Sequence, residues 1–195
     1  MTIFQRITGR PGLLRAAASG LLLLALLAAP VGAGEPVPFE AHGGLDLARE
    51  AAGAWSRDAV LVYVENDEGL DAQGASARWS YLFYSRALDK LRFYSVRAGK
   101  ILVAENLNLK FDAPPLASQW IDSGAALAAA EQGPGGEFRR KDGGQLANMV
   151  LMRGAFQEKD PDQTTWTLVY TAPNTPSLYV VVDAAAGKVR RTWRG

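Results

Sequence analysis

The stretch Leu178–Val189, "LYVVVDAAAGKV", runs strand formers into an aspartate, crosses three alanines, turns at glycine and resumes at valine. Leu178, Val180 and Val182 alternate on one face, and Asp183 followed by "AAAGK" is turn chemistry, so the segment predicts a β-hairpin. It has an echo. "LRFYSVRAGKI" (Leu91–Ile101) carries the same order of strand, turn, Gly-Lys and strand.

The echo extends upstream. A shift of 87 residues aligns "VYVENDEGLDAQGASARWSYLFYSRALDKL" (Val62–Leu91) with "MVLMRGAFQEKDPDQTTWTLVYTAPNTPSL" (Met149–Leu178) without a gap, placing Trp79 on Trp166, Phe83 on Tyr170 and Leu91 on Leu178. Such self-similarity predicts one unit written twice. Each copy offers four strand candidates rich in β-branched and aromatic residues: Val60–Val64, Trp79–Ser85, Leu91–Val96 and Ile101–Glu105, then Leu146–Met152, Trp166–Thr171, Leu178–Asp183 and Val189–Trp193. An alanine-rich helix precedes each set, in "LDLAREAAGAW" (Leu45–Trp55) with Asp46 as N-cap, and in "IDSGAALAAAEQ" (Ile121–Gln132) with Asp122 or Ser123 as N-cap. The expected class is α+β, with two tandem units, each a helix on its own four-stranded antiparallel sheet. "GPGG" (Gly133–Gly136) is expected to stop the second helix, and "GGEFRRKDGG" to form a connector or short extra strand with Phe138 anchored and Arg139, Arg140 and Lys141 outward. Pro114 and Pro115, which cannot pair centrally in a sheet, mark the boundary between units.

The N-terminus reads as an export signal. Arg6, Arg10 and Arg15 precede the apolar run Ala16–Ala33, Pro30 breaks it, and Val31 and Ala33 suit cleavage after Ala33. A retained anchor is the rival reading, since 18 residues only just reach the length of a membrane span. Removing the signal removes three arginines, leaving 18 basic residues against 20 acidic, a net charge of −2. Nucleic acid thus loses its electrostatic support as a partner. With no cysteine in the chain, disulfides, thiol chemistry and a lipid-modified cysteine are excluded. The expected layout is a signal at 1–33, a flexible segment at 34–43, a first unit at 44–112, a linker at 113–120 and a second unit at 121–195. The expected location is the periplasm or outside the cell.

The second unit, with "WIDSGAALAAA", "GGEF", "WTLVY" and the closing "LYVVVDAAAGKV", resembles a PepSY-type domain. The first resembles a degenerate copy in which Val96 stands for the terminal aspartate. Tandem units of this design are also similar, at the level of fold, to beta-lactamase inhibitory protein. The resemblance implies a secreted or envelope module that inhibits, chaperones or binds, and it implies no catalytic residues.

Chemistry is sparse. His42 is the sole histidine, without partners in sequence for a triad or a zinc site, and reads as a tail residue. Carboxylates gather in "ENDEGLD" and "EKDPD", making Asp67, Asp71, Asp160 and Asp162 weak calcium candidates that lack EF-hand spacing. Trp79 and Trp166 read as packing residues. Candidate partner-binding residues are Arg139, Arg140, Lys141, Arg191 and Trp193. No enzyme, cofactor or metal is expected. The function expected is binding of another envelope or secreted protein, with a small ligand or envelope polymer (lipid, glycan, peptide) as the alternative.

Overall fold

The computed structural model describes residues 36–108, 114–154 and 162–195. Eight strands follow the predicted positions with ends extended by a few residues: β1 (Val60–Asn66), β2 (Arg78–Ser85), β3 (Lys90–Arg97), β4 (Lys100–Leu107), β5 (Gln145–Arg153), β6 (Thr164–Ala172), β7 (Thr175–Asp183) and β8 (Val189–Arg194). They do not make two sheets. All eight lie in one antiparallel sheet of order β4-β3-β2-β1-β5-β6-β7-β8. Each set of four is a meander of hairpins, and the first strand of one pairs with the first strand of the other through Tyr63↔Met152, Val64↔Leu151 and Glu65↔Val150. The physical reason is the unpaired edge that each separate meander would leave on β1 and β5, where backbone N–H and C=O groups need partners.

Three helices cover one face. In α1 (Leu45–Trp55), Leu45, Ala48 and Ala52 are buried at helical spacing, while the N-cap is Gly44 and Asp46 sits in the first turn, where its charge favours the helix dipole. Asp122 caps α2 (Ser123–Glu131), its carboxylate accepting the Ser123 N–H at 2.8 Å. Ala126 and Ala130 are fully buried against the core, and their small side chains let α2 lie close to the strands.

The expected connector is a third helix, α3 (Pro134–Asp142). Proline suits the first helical position because its missing N–H is needed by no intrahelical bond, and Gly143 closes the helix with the left-handed φ of 66° that glycine adopts without strain. Phe138 is indeed anchored, at 2% exposure, and stands edge-on to Tyr170. Arg139, Arg140 and Lys141 lie in the last turn, where cations favour the dipole.

One core joins both meanders beneath the helices. Trp79 and Trp166 are fully buried with ring centroids 6.2 Å apart, and Trp120 stands 5.8 Å from Trp166. Each central indole keeps a partner for its N–H: Trp79 Nε1 donates to Phe39 O at 2.7 Å, and Trp166 Nε1 to Ile121 O at 2.8 Å. From the opening stretch, Leu178, Val180 and Val182 enter this core. Asp183 ends β7 as turn chemistry, its Oδ1 accepting the Ala185 and Ala186 N–H groups and its Oδ2 accepting from Gln163 and Arg190.

Within the segment expected to be flexible, residues from Phe39 on are fastened. Phe39 bridges Ser76, Ala41 is buried with its N–H on Ser123 Oγ, and Tyr81 Oη donates to Ala41 O at 2.8 Å. The expected linker is held as well, through Leu116 N–H on Leu61 O at 2.9 Å and the buried Trp120.

Gly53 is an exposed interior residue of α1, and a Cβ built on it meets nothing within 4 Å. Alanine loses less backbone entropy than glycine on entering a helix. Gly53→Ala is therefore expected to raise stability by about 0.5–1 kcal/mol, read as a higher urea midpoint at unchanged slope.

Candidate functional site

With every helix on one side, the other face of the sheet presents its own rows of side chains. The strand registers align Val103, Ser95, Ser80, Glu65, Val150, Thr167, Val181 and Arg191 in one row across all eight strands. A neighbouring row carries larger groups, among them Phe93, Leu82, Tyr63 and Met152. Ser95, Ser80, Glu65, Thr167 and Val181 are buried although none of the described helices lies above them.

Glu65 sits at the centre of the row at 7% exposure, and Tyr63 Oη donates to its Oε2 at 2.6 Å. Burial pushes its carboxyl above the usual range; the Tyr63 hydrogen bond opposes this and the nearby Asp67 charge adds to it. A folded-state value above the unfolded one means stability present below the unfolded pKa and lost as pH rises through the folded value. Glu65→Gln is therefore expected to match the wild type near pH 3 and exceed it in thermal midpoint at pH 7.

Beside Glu65 lies a closed polar network. Asp67 Oδ2 accepts from Ser80 Oγ at 2.8 Å and Ser95 Oγ at 2.5 Å, and pairs with Arg78 Nε at 3.0 Å. Next to it on the same face, Val62, Leu82 and Leu91 form a second apolar cluster with Tyr63, Tyr84, Phe93 and Leu107 packed around them. Val62, Leu82 and Leu91 are buried and the other four half-buried, so this second apolar cluster stands apart from the main core on the opposite face of the sheet.

The calcium candidates are committed elsewhere. Asp67 is neutralised by Arg78, Asp71 Oδ1 holds the Gln73 and Ala75 N–H groups in a turn, and Asp162 pairs with Arg153 at 2.8 Å. Asp160 lies outside the described residues. Among the described residues there is no cluster of three or more His, Asp or Glu side chains able to hold a metal ion. His42 is more than a tail residue: it stacks on Trp120 at 3.8 Å, and its Nδ1 lies 3.1 Å from Asp122 Oδ2.

The expected partner-binding residues fall on two faces. Arg191 and Trp193 lie on the helix-free face at edge strand β8, where Trp193 stacks on Tyr179 at 4.8 Å and Arg191 lies over its ring. Arg139, Arg140 and Lys141 belong to α3 on the opposite side. Arg139 does not point outward; it bonds Glu131 at 2.7 Å and lies over Tyr170, whereas Arg140 and Lys141 are exposed.

The architecture is shared with a solved protein. A crystal structure of a candidate lipoprotein from Clostridium difficile 630 matches with a TM-score of 0.52 and 13% identity, over 75% of this chain and 90% of that one. At that identity the likeness is one of fold. No family model matches the chain, and no curated protein matches it. Among the described residues no helix is long and apolar enough to cross a membrane.

A second site escaped the sequence. On the helix side, a cleft of about 290 Å³ opens between α1, the start of β1 and residues 115–118. Gly53, Ala59, Val60, Leu61, Phe83 and Leu116 supply its walls, and among the described residues Arg49 is its one charged lining residue. The signal for it was the glycine inside "LDLAREAAGAW", a residue that a helix built only for packing would replace with alanine.

Proposed function

We propose that this is an exported, non-enzymatic binding protein of the cell envelope that engages another envelope or secreted protein on the helix-free face of its sheet. The observation that carries the reading is the apolar cluster of Val62, Leu82, Leu91, Tyr63, Tyr84, Phe93 and Leu107 on a face that no helix among the described residues covers. The signal-like N-terminus and the fold shared with a candidate lipoprotein support the location in or beyond the envelope. Support for a non-enzymatic role comes from the polar groups themselves: His42 is stacked and paired with Asp122, and Asp67 is enclosed by an arginine and two serines.

The same proposal includes the finer architecture, in which each meander and its preceding helix form a PepSY-like unit. Trp79 and Trp166, 87 residues apart, each donate their indole N–H to a backbone carbonyl just ahead of a helix, at Phe39 and Ile121. Inhibition of a secreted peptidase is the sharpest form of the binding reading. A second reading, a small-ligand carrier, is favoured by the cleft at Arg49.

The test is cross-linking and pull-down from an envelope extract with the wild type and with Phe93→Asp. A specific protein retained by the wild type and lost from a variant of unchanged circular dichroism supports the face. Recovery of the same protein by both variants places the contact elsewhere.

A further inference from the structure

We propose that the cleft beside α1 binds a single-chain alkyl carboxylate, with Arg49 holding the carboxylate and the apolar walls taking the chain. The inference deepens the small-ligand reading and is independent of the helix-free face, so either can fail alone.

Two observations carry it. The first is the chemistry of the lining, which among the described residues combines one guanidinium with Ala59, Leu61, Phe83, Pro115 and Leu116. Among the described residues Arg49 has one loose ion-pair neighbour, Asp46, 3.8 Å away, whose side chain is 99% exposed. Such solvent-screened pairs contribute little, so the guanidinium can exchange Asp46 for a ligand carboxylate without a large penalty. A single cation among apolar walls matches a monoanion with a hydrocarbon tail.

The second observation is Gly53. It lies four residues after Arg49, hence on the same helix face and beneath the same opening. A Cβ there meets no atom of the protein within 4 Å, so no contact within the chain requires glycine. Its left-handed freedom is also unused, because it lies inside a regular helix. Glycine at this position leaves the α1 side of the opening without a side chain. A volume of about 290 Å³ lies at the lower end of small-molecule pockets, too small for a protein element and sufficient for one chain.

The experiment titrates monomeric decanoate, decanol and decyltrimethylammonium into the purified protein while amide NMR shifts are followed. Decanoate is expected to move Gly53, Leu61 and Leu116 saturably, with decanol and the Arg49→Gln variant each about tenfold weaker or more, as loss of a charge-assisted hydrogen bond implies. Gly53→Leu places a bulky side chain of a good helix former at the opening, so it is expected to abolish the shifts while keeping the thermal midpoint at or above the wild-type value. Equal affinity for decanol and decanoate, wild-type binding by Gly53→Leu, or shifts confined to the helix-free face would each overturn the proposal. So would line broadening that depends on protein concentration instead of ligand, which would make a second copy the occupant.

Discussion

Trp166→Ala is expected to lower unfolding free energy by about 3–5 kcal/mol, the range for deleting a large aromatic from a packed core. Trp166 is fully buried, lies edge-on to both Trp79 and Trp120, and so touches the packing of both meanders. Its loss also strips the Ile121 carbonyl of the indole N–H at 2.8 Å, just ahead of α2. Domains of ordinary size have about 5–15 kcal/mol in total, so the variant sits near the edge of folding at 25 °C. Trp193→Ala is the control. That ring is partly exposed and stacks on Tyr179, a contact worth about 0.5–1.5 kcal/mol. Urea denaturation of the two variants side by side separates a core indole from a surface one. Equal losses would sink the assignment of Trp166 to the shared core.

Asp183→Ala is expected to lower stability by about 3 kcal/mol, because a buried carboxylate with four donors is removed and those donors are left facing a void. The carboxylate is 3% exposed and holds the Ala185 and Ala186 N–H groups, the Gln163 amide and the Arg190 guanidinium. Burial alone would push its pKa up; the Arg190 and backbone hydrogen bonds together outweigh burial and hold the carboxyl below its ordinary value. A depressed folded-state pKa contributes stability that is present above the unfolded value and lost as pH falls through the folded one. Wild-type thermal midpoints should therefore drop more steeply below about pH 4 than those of Asp183→Asn, which keeps an acceptor for the turn but no charge. Parallel curves for the two proteins across that range would remove Asp183 from the acid response. Glu65 has the opposite sign, so the two carboxylates can be told apart in one titration.

Local rules located every strand because each carries its own alternation and its own turn. The hairpin at Asp183 was legible down to the role of the aspartate, since its partners Ala185 and Ala186 are two and three residues away. The merger of two meanders into one sheet was not, because β1 and β5 are joined by pairs such as Glu65↔Val150, and no local pattern distinguishes an edge strand from one that finds a distant partner. Helix α3 was hidden by the glycines of "GPGGEFRRKDGG", although Pro134 at its start, Glu137 in its first turn, three cations in its last and Gly143 after it are start and stop signals in the right order. The place of His42 depends on Asp122, 80 residues away in sequence, and Arg139 is turned inward by Glu131 and Tyr170. Side chains whose partners are remote cannot be oriented by composition alone.

The join between β1 and β5 also has a kinetic meaning. Within each meander neighbouring strands close short loops, whereas Glu65 meets Val150 only after 85 residues of chain have been brought around. Closing a long loop costs more chain entropy than closing a short one, and contacts distant in sequence slow the search. Just three registered pairs and the Asn66 side chain, which accepts the Met149 N–H at 2.7 Å, span this line. The hairpins on either side can zip locally, so the central junction of the finished sheet is the pairing that must wait until β5 has been brought back to β1.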